Sequence, residues 1–330
     1  MLKPTLLSLV TFVAASAALA QGTVIKIDGS STVYPITEAV AEEFQISKKN
    51  TIQVTVDISG TGGGFKKLCR DEIDIANASR PITAKEMEAC KAAGVQYVEL
   101  PVAFDALTII VNTNNAFFKN RITVAELKAI WEPSAQNTVT RWSQINPVWP
   151  DAPMKLYGPG ADSGTFEYFT DAVVGKAKSS RGDYTSSEDD NVLVQGVSRD
   201  PNALGYLGYA YYAENQSRLK ALGIISPSTN AVVEPSPAAV MDGTYQPLSR
   251  PIFTYVKAAS LDKPEVKSFV EFYMQNAVQL TQEVKYIPLP ATVYTQNMDN
   301  INNKKVGSRF DGKNAIGITI DELMKREPTL

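Results

Sequence analysis

The chain has 330 residues, 44% hydrophobic and 20% charged, with a formal net charge of −3 and no histidine. The charge argues against nucleic acid or an acidic membrane as partner. The missing histidine removes every Ser-His-Asp triad, Cys-His pair and histidine-ligated zinc site. An anionic ligand stays possible, because oriented N–H dipoles hold small anions whatever the net charge.

Residues 1–20 read as a secretory signal peptide: Lys3, an apolar stretch from Leu6 to Ala20, and Ala18-Leu19-Ala20 ahead of Gln21. Glutamine stands where a lipid anchor needs cysteine, and no later run reaches the roughly 18 apolar residues of a spanning helix. The expectation is a free periplasmic protein, a monomer. The roughly 310 residues that follow exceed one hydrophobic core, so two lobes are expected.

A strand at 24–28 leads into Gly29-Ser30-Ser31-Thr32 and a helix at 36–44, with Thr32 as a possible cap and Pro35 in the first turn. A strand at 53–58 leads into Ser59-Gly60-Thr61-Gly62-Gly63-Gly64 and a helix at 65–70. Glycine in such a run costs entropy unless the backbone must approach something closely or take positive φ. Neither turn is a nucleotide-binding loop, since Phe65 stands where that motif requires lysine.

Cys69 and Cys90 bracket a strand at 73–76, the segment Asn77-Ala78-Ser79-Arg80-Pro81 and a helix at 84–93. Export favours a disulfide between them, with two buried thiols as the alternative. Arg80 is positioned to fork onto an oxyanion while Ser79 adds a hydroxyl, a surface salt bridge being the plainer reading. Asp105 precedes a strand at 107–112, and 112–120 reads as a loop.

A helix at 124–131 and a strand at 155–158 lead to the third turn, Asp162-Ser163-Gly164-Thr165, which opens a helix at 166–174. The Arg181–Asn191 loop, a helix at 187–198, a loop at 248–251, a strand at 252–256 and a helix at 264–277 complete the pattern. The polar tail 300–330 says little. Alternation of this kind predicts an α/β fold with largely parallel sheets. Lobe one is expected at 22–111 plus 253–330 and lobe two at 112–252.

Three Ser/Thr/Gly turns, each after a strand and opening a helix, present backbone N–H groups, small hydroxyls and helix dipoles. Aimed at one point they form an anion trap, although each alone is an ordinary cap and turn. A ligand that carries a hydrogen, such as HPO₄²⁻, is told from sulfate by a buried carboxylate acceptor. Asp162 and Asp105 are the first candidates, with Asp183, Asp189 and Asp190 read chiefly as surface charge.

These stretches together resemble the phosphate-binding proteins that feed phosphate ABC importers. The likeness rests on 29–36, 59–65, 78–82, 156–166 and 190–197, with Asn202-Ala203-Leu204-Gly205-Tyr206, and covers nearly all of the mature chain. It implies a two-lobed type II periplasmic binding protein fold with dehydrated phosphate in the cleft, delivery to a membrane permease, no cofactor or metal and no catalysis. By that resemblance the ligand falls to Ser31, Thr32, the Val33 N–H, Thr61, Ser79, Arg80, Asp162, Ser163, Gly164 and Thr165. Gly160 or Pro159 stands where many members carry an arginine, which assigns that role to Arg80, with Arg181 next. The rivals are a binding protein for sulfate or molybdate, and an exported phosphatase or serine hydrolase using Ser31 or Ser163 with a lysine base.

Overall fold

The computed structural model describes residues 24–226, 229–314 and 316–329. The signal-peptide reading lies outside them. Lobe one begins with β1 (Val24–Gly29), α1 (Tyr34–Ser47), β2 (Gln53–Ile58), α2 (Gly60–Cys69), β3 (Ile75–Ala78) and α3 (Ala84–Ala92). β1 is central and parallel to β2 and β3. Ile36, Val40 and Phe44 line the buried face of α1, as their four-residue spacing predicts.

The helix α2 starts five residues earlier than expected, so the triglycine lies inside its first turns. The reason is a close approach: a Cβ on Gly64 would lie 2.8 Å from Gly29 Cα and 2.9 Å from the Asp28 carbonyl oxygen. Without side chains there, the N-terminus of α2 packs directly on the first turn. Ser59 fixes it, donating to Asp28 Oδ1 at 2.7 Å. The Cys69–Cys90 disulfide then joins the end of α2 to α3.

β4 (Tyr97–Asn112) is buried along all sixteen residues and belongs to both lobes. Its first part pairs antiparallel with a later strand, and residues 107–112 pair with strands of lobe two. Only 107–112 was expected from the sequence, and Pro101 lies in the unexpected first part. It sits where the register of the pairing shifts, between Ile252 and Phe253, a position where a missing N–H is tolerated.

Lobe two contains β5 (Arg121–Thr123), α4 (Val124–Trp131), β6 (Lys155–Pro159), α5 (Gly164–Phe169), β7 (Thr185–Ser187), α6 (Asp190–Arg199), β8 (Ala203–Gly208), α7 (Tyr209–Glu214), β9 (Leu219–Ile225), β10 (Val232–Val233) and α8 (Pro237–Met241). The chain returns through β11 (Ser249–Lys257), which lies between β3 and β4, and ends with α9 (Pro264–Glu283), β12 (Ile287–Pro288), α10 (Ala291–Asn302) and α11 (Ile320–Met324).

The fold is α/β, but the middle of the sheet path, from β3 through β11 and β4 to β8, pairs antiparallel. The partners of β4 change at about Ala106, from β11 to β8 and β9, and Ser249 at the start of β11 lies opposite Ala106. Of the stretch 248–251 that reads as loop, 249–251 is strand, with Arg250 directly opposite Asp105. Phe269 and Phe272 of α9 pack edge-on against Phe44 of α1 at ring-centre distances of 5.2 and 5.5 Å, closing one face of lobe one. No helix among the described residues is long and apolar enough to cross a membrane.

Candidate functional site

The three turns converge where the lobes meet. Thr32 does not cap α1, whose N-cap is Val33. Its hydroxyl instead reaches across to Thr165, Oγ1 to Oγ1, at 2.9 Å. Thr61 lies 3.2 Å from the Ser79 hydroxyl and accepts from the Ser79 N–H at 3.0 Å. Ser163 caps α5, its oxygen accepting from the N–H groups of Thr165 and Phe166. Its own hydroxyl hydrogen remains available to a ligand, as does the positive end of that helix.

Gly164 shows how closely the lobes approach. A Cβ there would lie 2.5 Å from Thr61 Oγ1 and 2.6 Å from Ser79 Oγ, both in lobe one. Gly164→Ala therefore blocks full closure while leaving each lobe folded. The expected outcome is at least a tenfold loss of ligand affinity with little change in thermal unfolding of the ligand-free protein, read by calorimetric titration and a melting curve.

Charge at this point comes from hinge residues. Arg250, fully buried, donates from Nη2 to Thr165 Oγ1 at 2.8 Å and from Nη1 to the Gly164 carbonyl at 3.2 Å. Its Nη2 also reaches Asp105 Oδ2 at 3.0 Å. Asp105 takes the Tyr209 N–H at its other oxygen, 3.1 Å. One pair on adjacent hinge strands thus holds the start of α5 and the start of α7.

Asp190 is the second acid at the site and is 1% exposed. Ser31 Oγ donates to its Oδ2 at a long 3.4 Å, and its Oδ1 has no hydrogen-bond partner. Burial first, then the charge of Asp105, push this carboxyl up to about 7. A buried acceptor oxygen without a donor is costly, and a bound group that brings a hydrogen is one way to meet that cost. Tyr211 and Tyr286, neither expected from sequence, fix the first turn by donating to the carbonyls of Ser31, at 3.0 Å, and of Thr32.

A model of the PBP superfamily domain matches residues 14–277. The chain belongs to the PBP superfamily. Among its relatives are protein SphX of Synechococcus elongatus, 52% identical over 94% of this chain and 90% of that one, and phosphate-binding protein PstS of Staphylococcus saprophyticus, 34% identical over 84% of each. A solved structure titled a possible phosphate binding protein, from Planctomyces limnophilus, is 50% identical, with a TM-score of 0.62 over 86% of this chain and 98% of that one.

Within this PBP-superfamily chain several of the expected site residues have protein partners of their own. Arg80 is buried, but its guanidinium is taken up by Glu86, at 2.8 Å from both Nη atoms, and by Glu167 at 2.9 Å. Its two Nη atoms are taken up by protein acceptors, and its Nε, without an aligned hydrogen bond, lies 2.8 Å from Glu167 Oε2. Asp162 is not the buried acceptor: its side chain is 41% exposed and paired with Lys66 at 2.9 Å. What Asp162 contributes is its backbone carbonyl, which takes the Gly62 N–H across the cleft at 2.8 Å.

The Val33 N–H is directed to the Ser30 carbonyl at 3.2 Å rather than to a ligand. Arg181 is buried within lobe two on the Ile130 carbonyl and Asp183, so the Arg181-Gly182-Asp183 tripeptide folds back on itself. Burial explains why Asp190 differs from Asp183 and Asp189, with which it was grouped. Asp190, Leu193, Val194 and Val197 occupy one buried face of α6 at i, i+3, i+4 and i+7. That spacing is a signal in the sequence that could have singled it out. The glutamate Glu188 lies against Gly160, where a Cβ would come within 2.1 Å of its Oε1, so a larger residue there requires the Glu188 side chain to move.

Proposed function

We propose that this chain captures inorganic phosphate between its two lobes in the periplasm and delivers it to the permease of a phosphate ABC importer. The anion lies at the N-terminus of α5, held by the hydroxyls of Thr32, Thr61, Ser79, Ser163 and Thr165, by the Gly164 N–H and by Arg250. One observation carries the choice of phosphate over sulfate: Asp190 Oδ1, buried and without a donor. Hydrogen phosphate supplies the missing hydrogen, whereas sulfate at neutral pH has none and meets a carboxylate. The relatives named phosphate-binding support the same reading.

A hydrolase reading has less support. Ser31 is directed to Asp190 and Ser163 to the start of α5, and neither hydroxyl is bonded to a lysine base. Binding and release by lobe closure need no covalent step.

Calorimetric titration of ligand-stripped protein at pH 8 tests the proposal. Phosphate is expected to bind at micromolar concentration or below, and sulfate to give no heat at a hundredfold higher concentration. Equal binding of both anions reassigns the ligand, and no binding of either removes the transport reading.

A further inference from the structure

We propose that Arg80, Glu86, Glu167 and Lys178 form a reversible ion-pair latch between the lobes, which sets how long the closed state lasts and so how fast bound phosphate is released. Release of phosphate rests on the function proposed above; the latch itself does not.

Arg80 follows β3 in lobe one, and Glu167 lies on α5 in lobe two. Their side chains are 1% and 3% exposed, and Arg80 Nη2 donates to Glu167 Oε1 at 2.9 Å across the seam. The same guanidinium is held in its own lobe by both oxygens of Glu86 and lies 5.6 Å from the Phe65 ring centre. Glu167 in turn has Lys178 of its own lobe 3.0 Å away, on a side chain that is half-exposed.

Each member of the cross-lobe pair therefore keeps a charged partner when the lobes part. Arg80 retains Glu86, Glu167 retains Lys178, and neither buried charge is orphaned. Breaking a buried ion pair is strongly unfavourable chiefly because it strands a charge. With a standby partner on each side, the cross-lobe bond is worth only the difference between two pairings. That is the magnitude a switch needs, because a bias much larger than the ligand's own preference would lock the lobes together. Lys66 and Asp162 also pair across the seam, but both are too exposed to contribute much.

Two substitutions with opposite effects test this. Glu167→Gln keeps the shape of the side chain and removes the charge Arg80 reaches for. Phosphate dissociation is expected to quicken about tenfold with little change in association. Spin labels placed on the two lobes of the ligand-free protein should report a shift toward longer distances. Lys178→Met removes the partner Glu167 uses when the lobes part. It should shift the distances the other way and slow dissociation about threefold.

The distance measurement is made without phosphate, so it decides the latch even if phosphate binding fails. Unchanged distances and dissociation in Glu167→Gln, or a shift in the same direction in both variants, overturns the proposal.

Discussion

Arg250→Lys is expected to weaken phosphate binding about a thousandfold while the ligand-free protein still folds. Arg250 is a buried guanidinium whose donors reach Thr165 Oγ1, the Gly164 carbonyl and Asp105 Oδ2 from one rigid plane. Lysine keeps the charge that Asp105 needs but cannot fork. Each lost bond to a charged group is worth about 1.5–3 kcal/mol. Losing a forked pair of such bonds to the bound anion comes to about 4 kcal/mol, or three powers of ten in affinity. Calorimetric titration gives the number, with circular dichroism as the check on folding. A loss below tenfold means that the anion does not rest on Arg250. Arg80→Lys, by contrast, should leave direct anion contacts intact, because that guanidinium is already shared between Glu86 and Glu167.

Asp190→Asn is expected to change two properties, one of stability and one of selectivity. Burial and the neighbouring Asp105 hold the Asp190 carboxyl at about 7 against an ordinary 3.8. A carboxyl raised on folding binds more protons in the native state than in the unfolded one. Its favourable contribution is complete below about 4 and is lost as pH rises through 7. Ionised Asp190 therefore destabilises the ligand-free protein above pH 7, by at most about 4 kcal/mol for a shift of this size.

The asparagine variant removes that penalty. Its melting temperature should exceed that of the unsubstituted protein at pH 8 and approach it at pH 5. Equal melting at both pH values contradicts this account of the carboxyl. In selectivity, an amide can donate as well as accept and carries no charge. The variant should bind sulfate and phosphate within about tenfold of each other at pH 8, and undiminished preference for phosphate moves the discrimination to another residue.

The turns were legible because their chemistry is local. A strand, a small hydroxyl residue and a helix start are all contained in ten residues, and Thr32, Thr61, Ser79, Ser163, Gly164 and Thr165 do come together. The charged residues were harder to read because their partners are distant. Arg80 sits beside Ser79 in a turn and so read as part of the trap. Its fate is decided by Glu167, 87 residues away. Arg250 is hidden in the sequence because Ser249, Arg250 and Pro251 look like a loop, yet in β11 Arg250 lies opposite Asp105, 145 residues earlier in the chain.

The same limit applies to the lobe crossings. They are expected at loop-like composition, which carries no sign of the continuous strands β4 and β11, whose length depends on pairing rather than on sequence. The disulfide needed only the count of cysteines and the compartment.

The most direct test is a crystal structure of the phosphate complex. Phosphate is predicted at the N-terminus of α5, with Asp190 Oδ1 within hydrogen-bond distance of one phosphate oxygen and the Arg250 guanidinium on another. Phosphate seated on Arg80 or Asp162, or away from Asp190 altogether, contradicts the account.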